Sequence, residues 1–77
     1  MKKIKLIWDF RGPDGINTAI HHEKHLKEFF KIEKKNLIES GIETLNEFHH
    51  LAYAIIMEDN LEEIKLTLKP NRGQIAN

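Results

Sequence analysis

The chain contains no cysteine, which rules out disulfide staples and any iron–sulfur centre held by thiolates. Serine occurs once, as Ser40 beside Gly41, so a serine nucleophile paired with a histidine has little support. No stretch approaches the roughly 18 apolar residues of a membrane span. Ile4, Leu6, Ile7 and Trp8 follow a basic start, but Lys5 and Asp9 interrupt them, too short a run for a secretory leader. Neither sign of charge is in excess, with 12 Lys and Arg against 12 Asp and Glu. That balance argues against nucleic acid, whose recognition needs a positive footprint to displace counterions. The expectation is a cytoplasmic protein with no membrane and no nucleic-acid partner.

Histidine is present in abundance. Five occur in 77 residues, in two clusters, His21-His22-x-x-His25 and His49-His50. Histidine changes charge near neutral pH and is the commonest metal ligand. The length fits one domain, residues 1–77. A chain of this size buries only about 60% of the surface its unfolded form exposes, so metal or self-association are routes to further stability. A net charge near zero at pH 7 also favours association.

Along the chain, Ile4, Leu6, Trp8 and Phe10 alternate with Lys3, Lys5, Ile7 and Asp9, the period of a half-buried strand. Arg11-Gly12-Pro13-Asp14-Gly15 breaks it, and Asp14 is placed to cap a following helix. Residues 16–35 carry the helical period. Ile16, Ala19, Ile20, Leu26 and Phe30 share one face, with Phe29 and His22 at its edge and His21, His25, Glu28 and Ile32 opposite. Glu23 falls within the apolar face, where a buried carboxylate needs a partner. Residues 36–41 end the helix, with Gly41 as a turn residue. A second strand is expected over 42–48 and a third over 49–57, with a hairpin turn near Asn46 and Glu47. Asp59 or Asn60 caps a second helix bearing Leu61, Ile64, Leu66 and Leu68, which Pro70 and Gly73 end. Residues 74–77 suit a short edge strand.

Leu45, Phe48, Ala52, Ile55 and Ile56 also fit a helix. That alternative leaves the first strand without partners, and about three strands are needed for independent stability. The expected fold is therefore α+β: a small ferredoxin-like plait of order β-α-β-β-α-β, an antiparallel sheet with two helices on one face. The third strand carries Leu51, Tyr53, Ile55 and Met57 on one side and Ala52, Ala54 and Ile56 on the other. Both sides are apolar while the helices cover one, so the open sheet face is expected to meet a second copy, giving a homo-oligomer.

This topology sends Arg11, Asp14, His22, His49, His50 and Arg72 to one edge, beside the N-terminus of the first helix. A helix N-terminus and two arginines suit an anion, and the histidines add hydrogen bonds. The Gly12-Pro13-Asp14-Gly15 run lacks the Gly-Lys-Ser/Thr ending of a phosphate loop. His21 and His25 stand four apart on a helix, a spacing that can chelate one ion. The Glu that a zinc protease needs after the first His is here His22, and two histidines alone leave a zinc site incomplete. His49 and His50, adjacent on a strand, point to opposite faces. No motif names a cofactor.

The expected function is a small, non-enzymatic binding or regulatory domain that self-associates and holds a small anionic ligand at this edge. The alternative is a transition-metal-binding protein using His21, His25 and one hairpin histidine. A histidine acting as general base in a cleft between subunits is the weakest of the three readings.

Overall fold

The computed structural model of the chain describes residues 2–76. The elements run β1 (Lys3–Arg11), α1 (Gly15–Ile32), β2 (Glu39–Asn46), β3 (His49–Met57), α2 (Leu61–Leu68) and β4 (Arg72–Ile75). A single 3₁₀ turn, Glu58–Asn60, leads into α2. The strands form one antiparallel sheet in the order β2-β3-β1-β4. Residues 42–57 thus form a β-hairpin, not a helix, and β3 within it is a direct partner of β1. No helix among the described residues is long and apolar enough to cross a membrane.

The β1–β3 register sets both faces of the sheet. Ile4, Leu6 and Trp8 lie opposite Ile56, Ala54 and Ala52. These six residues share a core cluster with Leu26 and Phe30 of α1 and Ile64 of α2, which puts both helices on that face. Ala52 and Ala54 are fully buried, and their small side chains leave room for the helix layer. Trp8 spans the layers: its ring is buried and its Nε1 donates to the Leu68 carbonyl at 2.8 Å. That bond satisfies a carbonyl in the last turn of α2, which has no partner within the helix.

The helix faces differ from those drawn from the sequence. The buried positions of α1 are Gly15, Ala19, Leu26 and Phe30. Spacings of four, seven and four place His22 on the middle of that stripe. Ile20 is 50% exposed, because the stripe is turned away from it. Gly15 sets this rotation: a Cβ there would stand 2.8 Å from the Phe10 carbonyl oxygen and 3.2 Å from the His50 ring. In α2, Leu61, Ile64 and Leu68 face the core, and Leu66 is 75% exposed.

Several boundaries also move. The first helix stops at Ile32, not at residue 35. Gly41 is not a turn residue; it lies inside β2 opposite Tyr53, where a Cβ would meet the phenol at 2.8 Å. Phe48 sits in the hairpin turn, and a bulge at Leu45 breaks the ladder between Thr44 and Asn46. The last strand starts at Arg72, not at residue 74. The expected edge strand reached Asn77, which lies outside the described residues.

The second sheet face is largely closed by the chain's own side chains. Ile7 and Leu51 point there, yet each is only 2% exposed. Lys5 crosses the face, its Nζ 4.5 Å from the Tyr53 ring centroid and 3.1 Å from Glu43 Oε1. Tyr53 donates to Glu39 Oε2 at 2.8 Å. Burial of Ile7 and Leu51 therefore needs no second copy, while Tyr53, Ile55 and Met57 are half-buried on that face.

The contact of Gly15 with a backbone atom makes a direct test. Gly15→Ala should destabilise the fold by about 1–3 kcal/mol, the usual cost of forcing atoms into a packed site. Ala is otherwise the better helix former, so an unchanged denaturation midpoint would show that α1 does not dock this closely.

Candidate functional site

The backbone does bring the expected edge together. Arg11 pairs with His49 in the ladder, and the Gly12 amide donates to the Phe48 carbonyl at 2.8 Å. The loop entering α1 thus rests on the β2–β3 hairpin. Gly12, with φ +104°, supplies the left-handed turn this needs. Asp14 occupies the N-cap position without a side-chain cap; its carbonyl instead accepts from the Thr18 amide and hydroxyl.

The side chains then diverge. His50 is 5% exposed and turns toward the helix layer. Its Nδ1 is 2.9 Å from Thr44 Oγ1 and its Nε2 is 3.3 Å from the Glu47 carbonyl. A carbonyl only accepts, so Nε2 carries the hydrogen and Nδ1 accepts from the hydroxyl. Both nitrogens are used in holding the hairpin.

His49 points to the other face, as adjacent strand residues must. Its Nε2 donates to Asp9 Oδ1 at 2.8 Å. Arg72 donates to the same carboxylate through Nε and Nη2, both at 3.1 Å. The Asp9 amide donates to Asn71 Oδ1 at 2.8 Å. Asp9 is the residue that sequence reasoning missed. Its place on β1, two positions before Arg11, put it on the face of His49, and that parity was the available signal. The Arg72 hydrogen bonds hold the Asp9 carboxyl below the usual carboxylate range; burial opposes this and the His49 hydrogen bond adds to it. Arg72 and His49 are therefore committed to a carboxylate within the chain. Arg11 is exposed and makes no ion pair among the described residues.

His22 is partly buried on α1, its ring centroid 5.1 Å from that of Trp8 and 5.4 Å from that of Phe10. Its Nε2 is buried without a hydrogen-bond partner among the described residues. Burial pushes its pKa down, and the charge of His25 pushes the same way. Glu23, the expected inconsistency, is satisfied by Lys27 Nζ at 3.2 Å and the Ser40 hydroxyl at 3.0 Å. His21 and His25 are exposed on α1, and with Thr18 and His22 they line a shallow groove of about 230 Å³. Among the described residues no group of three or more His, Asp or Glu side chains is placed to hold a metal ion.

A larger groove of about 410 Å³ opens between α2 and β4. Ile4, Leu6 and Leu61 give it apolar walls, and Ile75 and Pro70 border it. It exists because Gly73, opposite Leu6, has no side chain; a Cβ there would meet Leu6 Cδ2 at an ordinary 3.5 Å. Lys65 stands at its side and takes part in no ion pair among the described residues. No carboxylate lines it. This volume lies within the range usual for small-molecule sites. No family model matches the chain, and neither a curated protein nor a solved structure matches it significantly.

Two titrations follow from these environments. Asp9 has a lowered folded pKa, so its contribution is complete above its unfolded value, about 3.9, and is lost as pH falls through the folded value. Acid unfolding of Asp9→Asn should accordingly show a shallower loss of stability below pH 4 than the parent. Parallel acid limbs for the two proteins would show that Asp9 is not held by Arg72.

His22 also has a lowered folded pKa, so protonation favours the unfolded chain. The resulting loss begins as pH falls below its unfolded value, about 6.5, and levels off below the folded one. His22→Phe removes both the orphaned nitrogen and this titration. Relative to the parent, its melting temperature should rise more at pH 5.5 than at pH 7.5. An equal difference at the two pH values would place the His22 ring in water.

Proposed function

We propose that the chain is a small ligand-binding domain whose groove between α2 and β4 takes a small amphipathic anion, a carboxylate on a short hydrocarbon body. The element order and the sheet order β2-β3-β1-β4 support a ferredoxin-like plait as its frame. The observation that carries the reading is the groove itself: apolar walls from Ile4, Leu6 and Leu61, one unpaired ammonium on Lys65, and no acid in the lining. Apolar walls contribute burial, and one placed charge fixes the orientation of the ligand. A cationic ligand would meet Lys65 with no anion to receive it.

This moves the anion site from the edge expected from the sequence to a groove that shares only Arg72 with it. There, Arg72 and His49 are occupied by Asp9 and His50 is occupied by Thr44 and Glu47. Arg11 and Asp14 remain at that edge as exposed groups of opposite charge. Self-association is the less supported part of the expected function, because Ile7 and Leu51 are already covered within one chain.

Titration of octanoate, octylamine and acetate into the labelled protein, followed by amide chemical shifts, tests the reading. Octanoate should shift Leu61, Lys65, Gly73 and Ile75 saturably, while octylamine and acetate should not. Lys65→Gln should weaken octanoate by about tenfold or more, roughly 1.4 kcal/mol. Gly73→Val should abolish binding and keep the fold, since a Cβ there has ordinary van der Waals room and a branched side chain suits a strand. Equal responses to octanoate and octylamine, or undiminished binding by Gly73→Val, would overturn the assignment.

A further inference from the structure

His21 and His25 are the two imidazoles that the fold leaves exposed and without a partner. His49 is held by Asp9, and His50 by Thr44 and the Glu47 carbonyl. His22 is turned against Trp8 and Phe10. The rings of His21 and His25 are exposed, and no hydrogen bond or ion pair among the described residues involves them.

Their placement fits a common ligand. One helical turn separates them, and their ring centroids stand 5.4 Å apart at an interplanar angle of 44°. Two imidazoles bound to one ion at the usual metal–nitrogen distance of about 2.0–2.1 Å have their ring centroids roughly 5 Å apart. The observed spacing is close to that value, and rotation of the two exposed rings about their side-chain bonds aims a nitrogen of each at one ion. Both residues lie within an 18-residue helix anchored by Ala19, Leu26 and Phe30, so the backbone beneath them is fixed. The groove they share with Thr18 leaves space above the rings.

We propose that His21 and His25 form a two-imidazole chelate on the exposed face of α1 for one divalent late transition-metal ion. The donor set selects the class: neutral imidazole suits nickel, copper and zinc, whereas magnesium and calcium require oxygen ligands. Two protein ligands leave the other coordination positions open to water or to donors from another molecule, unlike a closed structural zinc site. His22 is not a ligand, because its ring serves the aromatic packing against β1. The site is separate from the α2–β4 groove and stands or falls independently of it.

Calorimetric titration of the full chain with Ni²⁺ and Zn²⁺, with Mg²⁺ for comparison, tests the proposal. One Ni²⁺ or Zn²⁺ per chain should bind saturably, and Mg²⁺ should give no heat. His21→Ala and His25→Ala should each weaken binding at least tenfold, since each leaves a single imidazole without the chelate effect. His22→Phe should bind as the parent does. Both alanine positions are exposed, so folding is retained; circular dichroism verifies it. In a second measurement, Ni²⁺ at substoichiometric amounts should broaden the ring resonances of His21 and His25 before those of His49 and His50. Retained affinity in either alanine variant, or first broadening at His49 and His50, would overturn the chelate.

Discussion

The antiparallel register between β1 and β3 is the constraint on which the rest depends. It runs through nine pairs, from Lys3 opposite Met57 to Arg11 opposite His49. Side chains alternate along a strand, so a slip of one residue would turn every side chain of β1 to the other face. In the observed register Leu6 and Trp8 meet the fully buried Ala54 and Ala52 beneath the helices. The same pairing sends Asp9 and His49 to the opposite face as diagonal neighbours, close enough for a long side chain to bridge. One ladder thus fixes both the apolar core and the charged cluster.

That cluster shows why a count of chemically suggestive residues misleads. An arginine and a histidine near a strand end resemble an anion site until a carboxylate is placed between them. Asp9 receives three charge-assisted or polar hydrogen bonds from Arg72 and His49, which uses their donors where a ligand would need them. Binding capacity lies instead where groups are left over: the unpaired ammonium of Lys65 beside an apolar groove, and two imidazoles in water on α1.

The sequence carried the fold more clearly than the site. Period-two alternation is clear over Lys3–Arg11, whereas His49–Met57 is apolar on both sides and also fits a helix; the absence of any partner for a lone first strand settled that segment. The beginning of β2 was hidden. Gly41 reads as a turn residue, and its true role, making way for the Tyr53 ring, is a tertiary contact that local pattern does not encode. The face of α1 was misjudged for a similar reason: Ile16 and Ile20 pull a helical wheel toward themselves, whereas the close seat of Gly15 on the Phe10 carbonyl decides the rotation. Parity on β3 correctly separated His49 from His50. The partner of each was not legible, since Asp9 and Thr44 reach them across strands.

The last strand has a different standing from the other three. It is four residues long, every one of them exposed, and it joins the sheet through β1 alone. Backbone bonds flank its ladder at both ends, from the Asn71 amide to the Ile7 carbonyl and from the Ala76 amide to the Lys3 carbonyl. With no buried side chain of its own, β4 depends on its ladder with β1 and on the Arg72–Asp9 and Asn71–Asp9 bonds at its start. Ile4 and Leu6, on the flank of the central strand, are what it covers. The short strand is the thin wall of the groove, and the wall behind it stands on the nine-pair β1–β3 ladder.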